Sequence, residues 1–175
     1  MPTRNCRQLN SEADRVSCFM PEYASKTVKT PLLIVEPGYD NWQLRNSWLV
    51  PAANQPPPAA WKACISRFSQ CTEQQLQILN LYNWIMKNAL RASGHSVYTH
   101  SCNVHGQFAA AWTWQGITVQ NTTIQQVVTD FVEYGKTINI YGGLALSNPT
   151  CIHGEFYSGL ESPTWRMTVS KIGHF

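Results

Sequence analysis

The stretch Tyr39-Asp40-Asn41-Trp42-Gln43 sets a carboxylate just beyond the apolar run Pro31-Leu32-Leu33-Ile34-Val35, and Ser101-Cys102-Asn103-Val104-His105 sets an imidazole beyond a second, alternating run. An acid and a histidine delivered by two strand ends can work as a pair. The carboxylate fixes the imidazole tautomer and stabilises the imidazolium, while the imidazole takes the proton of a serine hydroxyl that is a poor nucleophile at neutral pH. Each residue also has a plainer use: Asp40 can cap a helix by accepting from Gln43, and a lone loop histidine commonly just completes a hydrogen-bond pattern. Other chemistry in these stretches is weaker. His100, Cys102 and His105 could hold zinc, but no fourth ligand is obvious and no metal is expected. Cys102 is too close in sequence to His105 to be its thiol partner. Trp42, Trp112 and Trp114 could stack on sugar rings, though core packing is the commoner use of each; Trp42, with Tyr39, is the best placed to line a substrate pocket beside the acid.

The elements that must position these groups can be read from periodicity. A strand is expected at about 32–36, loosened at Gly38 before the acid. After Asp40, Asn41-Trp42-Gln43-Leu44 opens a helix with Leu44, Trp48 and Leu49 inward and Pro51 as its end, and the three prolines 56–58 then hold an extended loop. The clearest helix spans about 72–92. Thr72 and Gln75 make its capping box, Leu76, Leu79, Tyr82, Met86 and Leu90 its apolar stripe, and Ile78, Leu81, Ile85 and Ala89 widen that stripe. Beyond Ser93-Gly94, residues 95–101 alternate as a strand that delivers the His105 loop. A last helix at about 123–134 points Ile124, Val127, Val128 and Phe131 inward and stops at Gly135; Gly142-Gly143 reads as a turn. This order fits an α/β fold, a parallel sheet with flanking helices, whose functional residues gather at the carboxyl ends of the strands. Two strands do not complete such a sheet, so further strands are expected upstream or in another chain.

The chain has 175 residues, 13 Lys and Arg against 10 Asp and Glu, and no basic run, which sets nucleic acid aside as a partner. No segment reaches the length of a membrane span. Six cysteines at spacings that look like staples, Cys6 with Cys18, Cys64 with Cys71, and the separate pair Cys102 and Cys151, favour disulfides in an oxidising compartment. The sequon Asn121-Thr122-Thr123 agrees with that compartment, and Asn148-Pro149-Thr150 is blocked by its proline. The opening Met1-Pro2-Thr3-Arg4 has no apolar signal region, so the expectation is that Met1 is not the true start of the protein.

In α/β-hydrolase-type esterases the triad runs serine, acid, histidine, and Asp40 followed by His105 is the second half of that order. No Gly-x-Ser-x-Gly turn stands anywhere in this chain. Residues 29–46 around Tyr-Asp-Asn-Trp-Gln, residues 61–80, the Ser-Cys-Asn-Val-His-Gly-Gln run and Asn148-Pro149-Thr150-Cys151 resemble, in order, the C-terminal half of the plant-type pectin acetylesterases, a family related to the Notum-type carboxylesterases. The likeness covers roughly residues 5–151 and leaves 152–175 an unassigned tail.

The resemblance implies a partial α/β-hydrolase-like sheet, Asp40 as triad acid and His105 as triad base. It also implies that the serine and oxyanion loop lie in an N-terminal half absent from this chain, that Cys102 closes onto Cys151, and that no cofactor is needed. The substrate implied is an acetylated polysaccharide, pectin, handled by a secreted, cell-wall protein. This chain alone is then expected to be nearly inactive. The alternatives are a non-catalytic, disulfide-stapled binding domain descended from the esterase, or a Notum-like acyl-protein carboxylesterase. Gly106 departs from the family, in which a cysteine often follows the histidine, and residues 139–147 replace a cysteine-rich run.

Overall fold

The computed structural model describes Cys18, residues 20–49 and residues 57–151. Expectations about Cys6, Pro51 and the 152–175 tail lie outside the described residues. After a short helix α1 (Pro21–Ser25), strand β1 (Leu33–Pro37) runs parallel to β2 (Ser96–His100), with Leu33 opposite Ser96 and Pro37 opposite His100. A third strand, β5 (Asn139–Tyr141), pairs parallel with the other side of β2, giving the order β1-β2-β5. All five residues of β2 are buried, as befits a central parallel strand covered on both faces. β5 was not foreseen, because three residues at a sheet edge are too few to show a period of two. Among the described residues β1 is the opposite edge.

The two faces are covered by different helices. On one, α6 (Ile124–Tyr134) buries Ile124 and Val127 against Tyr98 and Ile138, with Leu33, Val35 and Ile140 packed beside them. Its N-terminus is closed by a capping box between Thr123 and Gln126, and it ends at Gly135 in the left-handed region. Just before it, β3 (Thr118–Val119) and β4 (Thr122–Thr123) form an antiparallel hairpin, preceded by α5 (Ala111–Gly116). On the other face lies α4 (Glu73–Ala92), whose Arg91 guanidinium sits 4.4 Å from the centroid of the Tyr141 ring. The Thr72–Gln75 capping box closes its start.

Helix α4 keeps the expected stripe on its inner side, with Leu79 buried and Leu76, Tyr82, Met86 and Leu90 half-buried, but the expected widening of that stripe fails, Ala89 included. Leu79 and Asn83 are its buried residues, while Ile78, Leu81 and Ile85, together with Trp84, are exposed. The reason is that polar groups hold its inner side to the strand ends. Asn83 Nδ2 donates to Tyr39 Oη (2.9 Å) and to the Gly143 carbonyl (3.0 Å), and Lys87 Nζ donates to the carbonyls of Gly142 and Gly143. The apolar residues on the far side of the helix therefore face away from the sheet.

The acid is followed by α2 (Asn41–Gln43), which widens at once into a π-helical turn over Leu44–Trp48, closed by Leu49 N donating to Leu44 O. The wider turn changes the angle per residue, so Leu44 is buried but Trp48 swings outward and lies against the Tyr82 ring at 4.8 Å, contrary to its expected inward place. Leu44, Tyr39, Leu79 and Phe68 share a core with Cys64 and Ile65 of α3 (Ala59–Ser66). Disulfides join Cys64 to Cys71 and Cys102 to Cys151, and the buried Cys18 is also disulfide-bonded.

Candidate active site

β1 and β2 are parallel and in register to their last residues, so the segments leaving them emerge side by side at the same end of the sheet. Gly38 lets them converge. Its N–H donates to the His100 carbonyl at 2.7 Å, and a Cβ there would stand 2.8 Å from Asn83 Oδ1 and 3.0 Å from that carbonyl oxygen. Two residues later the chain turns into α2 with Asp40 as its N-cap: Gln43 N donates to Asp40 Oδ1 at 2.8 Å. The other oxygen, Oδ2, accepts from His105 Nδ1, also at 2.8 Å. The cap reading and the acid–base reading of Asp40 thus hold together, one on each oxygen. The Asp40 side chain is 7% exposed and that of His105 is 55% exposed, so a buried carboxylate holds a ring that reaches the surface.

The His105 loop is tied to its surroundings by amide side chains. Asn41 Nδ2 donates to Asn103 Oδ1 (3.2 Å), Asn103 Nδ2 to the Ile65 carbonyl (2.6 Å), and Gln107 Nε2 to the Val35 carbonyl (2.9 Å). Gly106 follows the histidine at φ +69°, a conformation that a side chain strains. The Trp42 ring, 54% exposed, stacks beside the imidazole with centroids 6.1 Å apart and planes at 28°. With the Nδ1 proton held by Asp40, the basic nitrogen of the imidazole is Nε2.

Tyr39 is corrected: it is not a pocket wall. It is fully buried, and its hydroxyl donates to Asn80 Oδ1 at 2.5 Å while accepting from Asn83, which makes it a core residue under the turn. Burial pushes its phenol up to about 12. Trp112 packs against Cys102, Val104, Ile117 and Cys151, and Trp114 against the α6 core, so both serve packing. Cys102, in its disulfide, supplies neither a thiolate ligand nor a nucleophile. His100 is fully buried, accepts from Cys102 N through Nδ1, and is pushed down to about 4 by desolvation. Among the described residues no three His, Cys, Asp or Glu side chains gather as a metal site, and no helix is long and apolar enough to cross a membrane.

Glu36 belongs to the same end of the sheet. It ends the apolar run four residues before Asp40, and burial followed by the nearby Asp40 charge raises its carboxyl to about 7. Its one signal was a charged residue inside a strand otherwise apolar.

A family model described as Pectinacetylesterase matches residues 1–152. Pectin acetylesterase 11 of Arabidopsis thaliana is 33% identical over 142 residues, which is 77% of this chain and 36% of that protein. Pectin acetylesterases 5 and 7 of the same plant are 27% and 28% identical, over 79% and 77% of this chain and 34% and 35% of theirs. The chain therefore spans about a third of the length of these relatives. The structure of the Wnt deacylase Notum from Drosophila superposes with a TM-score of 0.60 at 14% identity, over 85% of this chain and 38% of that one, a likeness of fold.

Proposed function

The chain belongs to the pectinacetylesterase family, and from that premise we propose that residues 1–151 are the C-terminal, acid–base part of a serine carboxylesterase that deacetylates pectin. The single observation that carries the reading is the divided carboxylate of Asp40, with Oδ1 on the Gln43 amide and Oδ2 on His105 Nδ1. In this reading Asp40 orients His105, and Nε2 removes the proton of a serine supplied by a segment upstream of residue 1 as the serine oxygen attacks the ester carbonyl carbon. The imidazolium then gives that proton to the departing sugar oxygen as its bond to the carbonyl carbon breaks, leaving a free sugar hydroxyl and an acetyl-serine. Water, deprotonated by the same nitrogen, attacks the acetyl-serine carbonyl carbon, and the imidazolium returns the proton to the serine oxygen as its bond to the acyl carbon breaks and acetate leaves. The steps require no cofactor.

Trp42, exposed beside the imidazole, is the side chain we assign to the wall of the substrate pocket. The preference for acetylated polysaccharide over an acyl-protein substrate rests on the family model and the plant relatives, since the Notum likeness is one of fold. A secreted, cell-wall location is supported by the disulfides, and Asn121, exposed at the tip of the β3–β4 hairpin, is proposed as an N-glycan acceptor. Acetate release from acetylated pectin tests the reading. The 175-residue chain alone is expected to stay near background, and a longer protein containing it is expected to turn over and to lose that turnover with His105→Ala. A longer protein unaffected by that substitution would overturn the assignment.

A further inference from the structure

Resting on the reading of Asp40 and His105 as acid and base, we propose that Glu36 is a positioning residue of this site, a second carboxylate that holds Gln43 and through it the turn presenting Asp40. Gln43 is the joint. Its side-chain Nε2 donates to Glu36 Oε1 at 3.1 Å, its Oε1 accepts from Tyr82 Oη at 2.5 Å, and its backbone N–H donates to Asp40 Oδ1 at 2.8 Å. Strand β1 and helix α4 thus grip the two ends of one amide, whose own backbone fixes the carboxylate facing His105. If Glu36 is removed, the Gln43 amide keeps only Tyr82 and loses its tie to strand β1.

A merely structural anchor for Gln43 needs an acceptor, and a neutral amide would provide one without the cost of burying a charge. Glu36 is instead ionisable, and among the described residues it makes no ion pair. The groups facing it are Asp40 and Gln43 from the turn, His105 from the loop after β2 and the Tyr82 phenol from α4. Burial and the Asp40 charge lift its carboxyl to about 7, so its charge changes in the range where a histidine base works. Ionised, Glu36 accepts from Gln43 Nε2 and adds a second negative charge beside Asp40. Protonated, it brings a donor to the same amide and relieves that repulsion. The acid–base pair therefore sits on a support whose charge changes near neutrality.

Two NMR readouts on the 175-residue chain test this without requiring ester turnover. With glutamate carboxyl carbons labelled, one carboxyl should titrate with a midpoint near 7, and the Gln43 side-chain amide should shift with the same midpoint. Both signals should survive His105→Gln and vanish in Glu36→Gln. The downfield Nδ1 proton of His105 in its bond to Asp40 should be retained in Glu36→Gln and lost or broadened in Glu36→Ala. Titration of the Gln43 amide that persists in Glu36→Gln, or an Nδ1 proton unchanged in Glu36→Ala, would overturn the proposal; if Glu36→Ala does not fold, the Glu36→Gln titration decides alone. Failure of the esterase reading shows instead as absent turnover in the longer protein with these signals intact.

Discussion

The two oxygens of Asp40 serve different elements, and that division separates its contribution to stability from the contribution to chemistry that we propose for it. Oδ1 caps α2 and Oδ2 orients His105. Asp40→Ala removes the cap and should lower the unfolding free energy of the chain by about 1 kcal/mol in urea titration. Asp40→Asn keeps an oxygen for the Gln43 amide and should cost the chain little stability. In a longer protein containing the chain, the proposed function predicts that it nonetheless cuts ester turnover by about ten-thousand-fold, because the amide no longer holds the tautomer of His105 that the proposal requires. Equal losses of stability in the two variants would refute the division. That Asp40, His105 and Trp42 come together was legible in the sequence because each stands in a short motif at a strand end. Glu36 was not, since its effect depends on Gln43 and Tyr82, and the latter arrives from a helix 39 residues away from its partner amide. Tyr39 was misplaced because adjacency in sequence to Asp40 says nothing about which side of the turn it faces.

The one-turn α2 is positioned by a close crossing of backbones rather than by its own length. Gly38 carries that crossing, wedged between Asn83 and the His100 carbonyl. Gly38→Ala puts a methyl carbon inside both contacts and should destabilise the chain by about 1–3 kcal/mol. It should also displace the Asp40 turn, so the His105–Asp40 hydrogen bond should weaken in the same variant. A melting temperature equal to that of the unsubstituted chain would contradict the crossing. Capping boxes and hydrophobic spacing located both long helices to within a residue or two. The π-helical turn after Gln43 and the outward face of α4 were hidden, because each arises from tertiary contacts: the burial of Leu44, and the grip of Asn83 and Lys87 on the strand ends.

Across the whole molecule, a buried and a half-buried titrating group oppose one another. His100, shifted from 6.5 down to about 4, leaves the folded state unable to bind a proton that the unfolded chain takes up; its contribution is present above 6.5 and lost as pH falls toward 4. Glu36, shifted from 4.5 up to about 7, favours the folded state in its protonated form; its contribution is full below 4.5 and lost as pH rises through 7. Between pH 4.5 and 6.5 the two slopes have opposite signs. Glu36→Gln should therefore make the unfolding free energy fall more steeply on acidification through that window than in the unsubstituted chain, and parallel curves would contradict the assignment. The α/β class and the parallel pairing of β1 with β2 were legible from the order of strand and helix signals, whereas the three-residue β5 and the short β3–β4 hairpin were too brief to show a period.

In the function proposed, Asp40 and His105 act upon a serine outside this chain. The most direct measurement is covalent labelling with a fluorophosphonate, which reports a serine activated by a histidine base. The native protein is captured with antibodies to this chain and the labelled peptide identified by mass spectrometry. A longer recombinant protein containing the chain is labelled in parallel, with and without His105→Ala. The expected result is a labelled serine outside residues 1–175, with labelling lost in His105→Ala. A labelled serine within these residues, or labelling that survives His105→Ala, would contradict it.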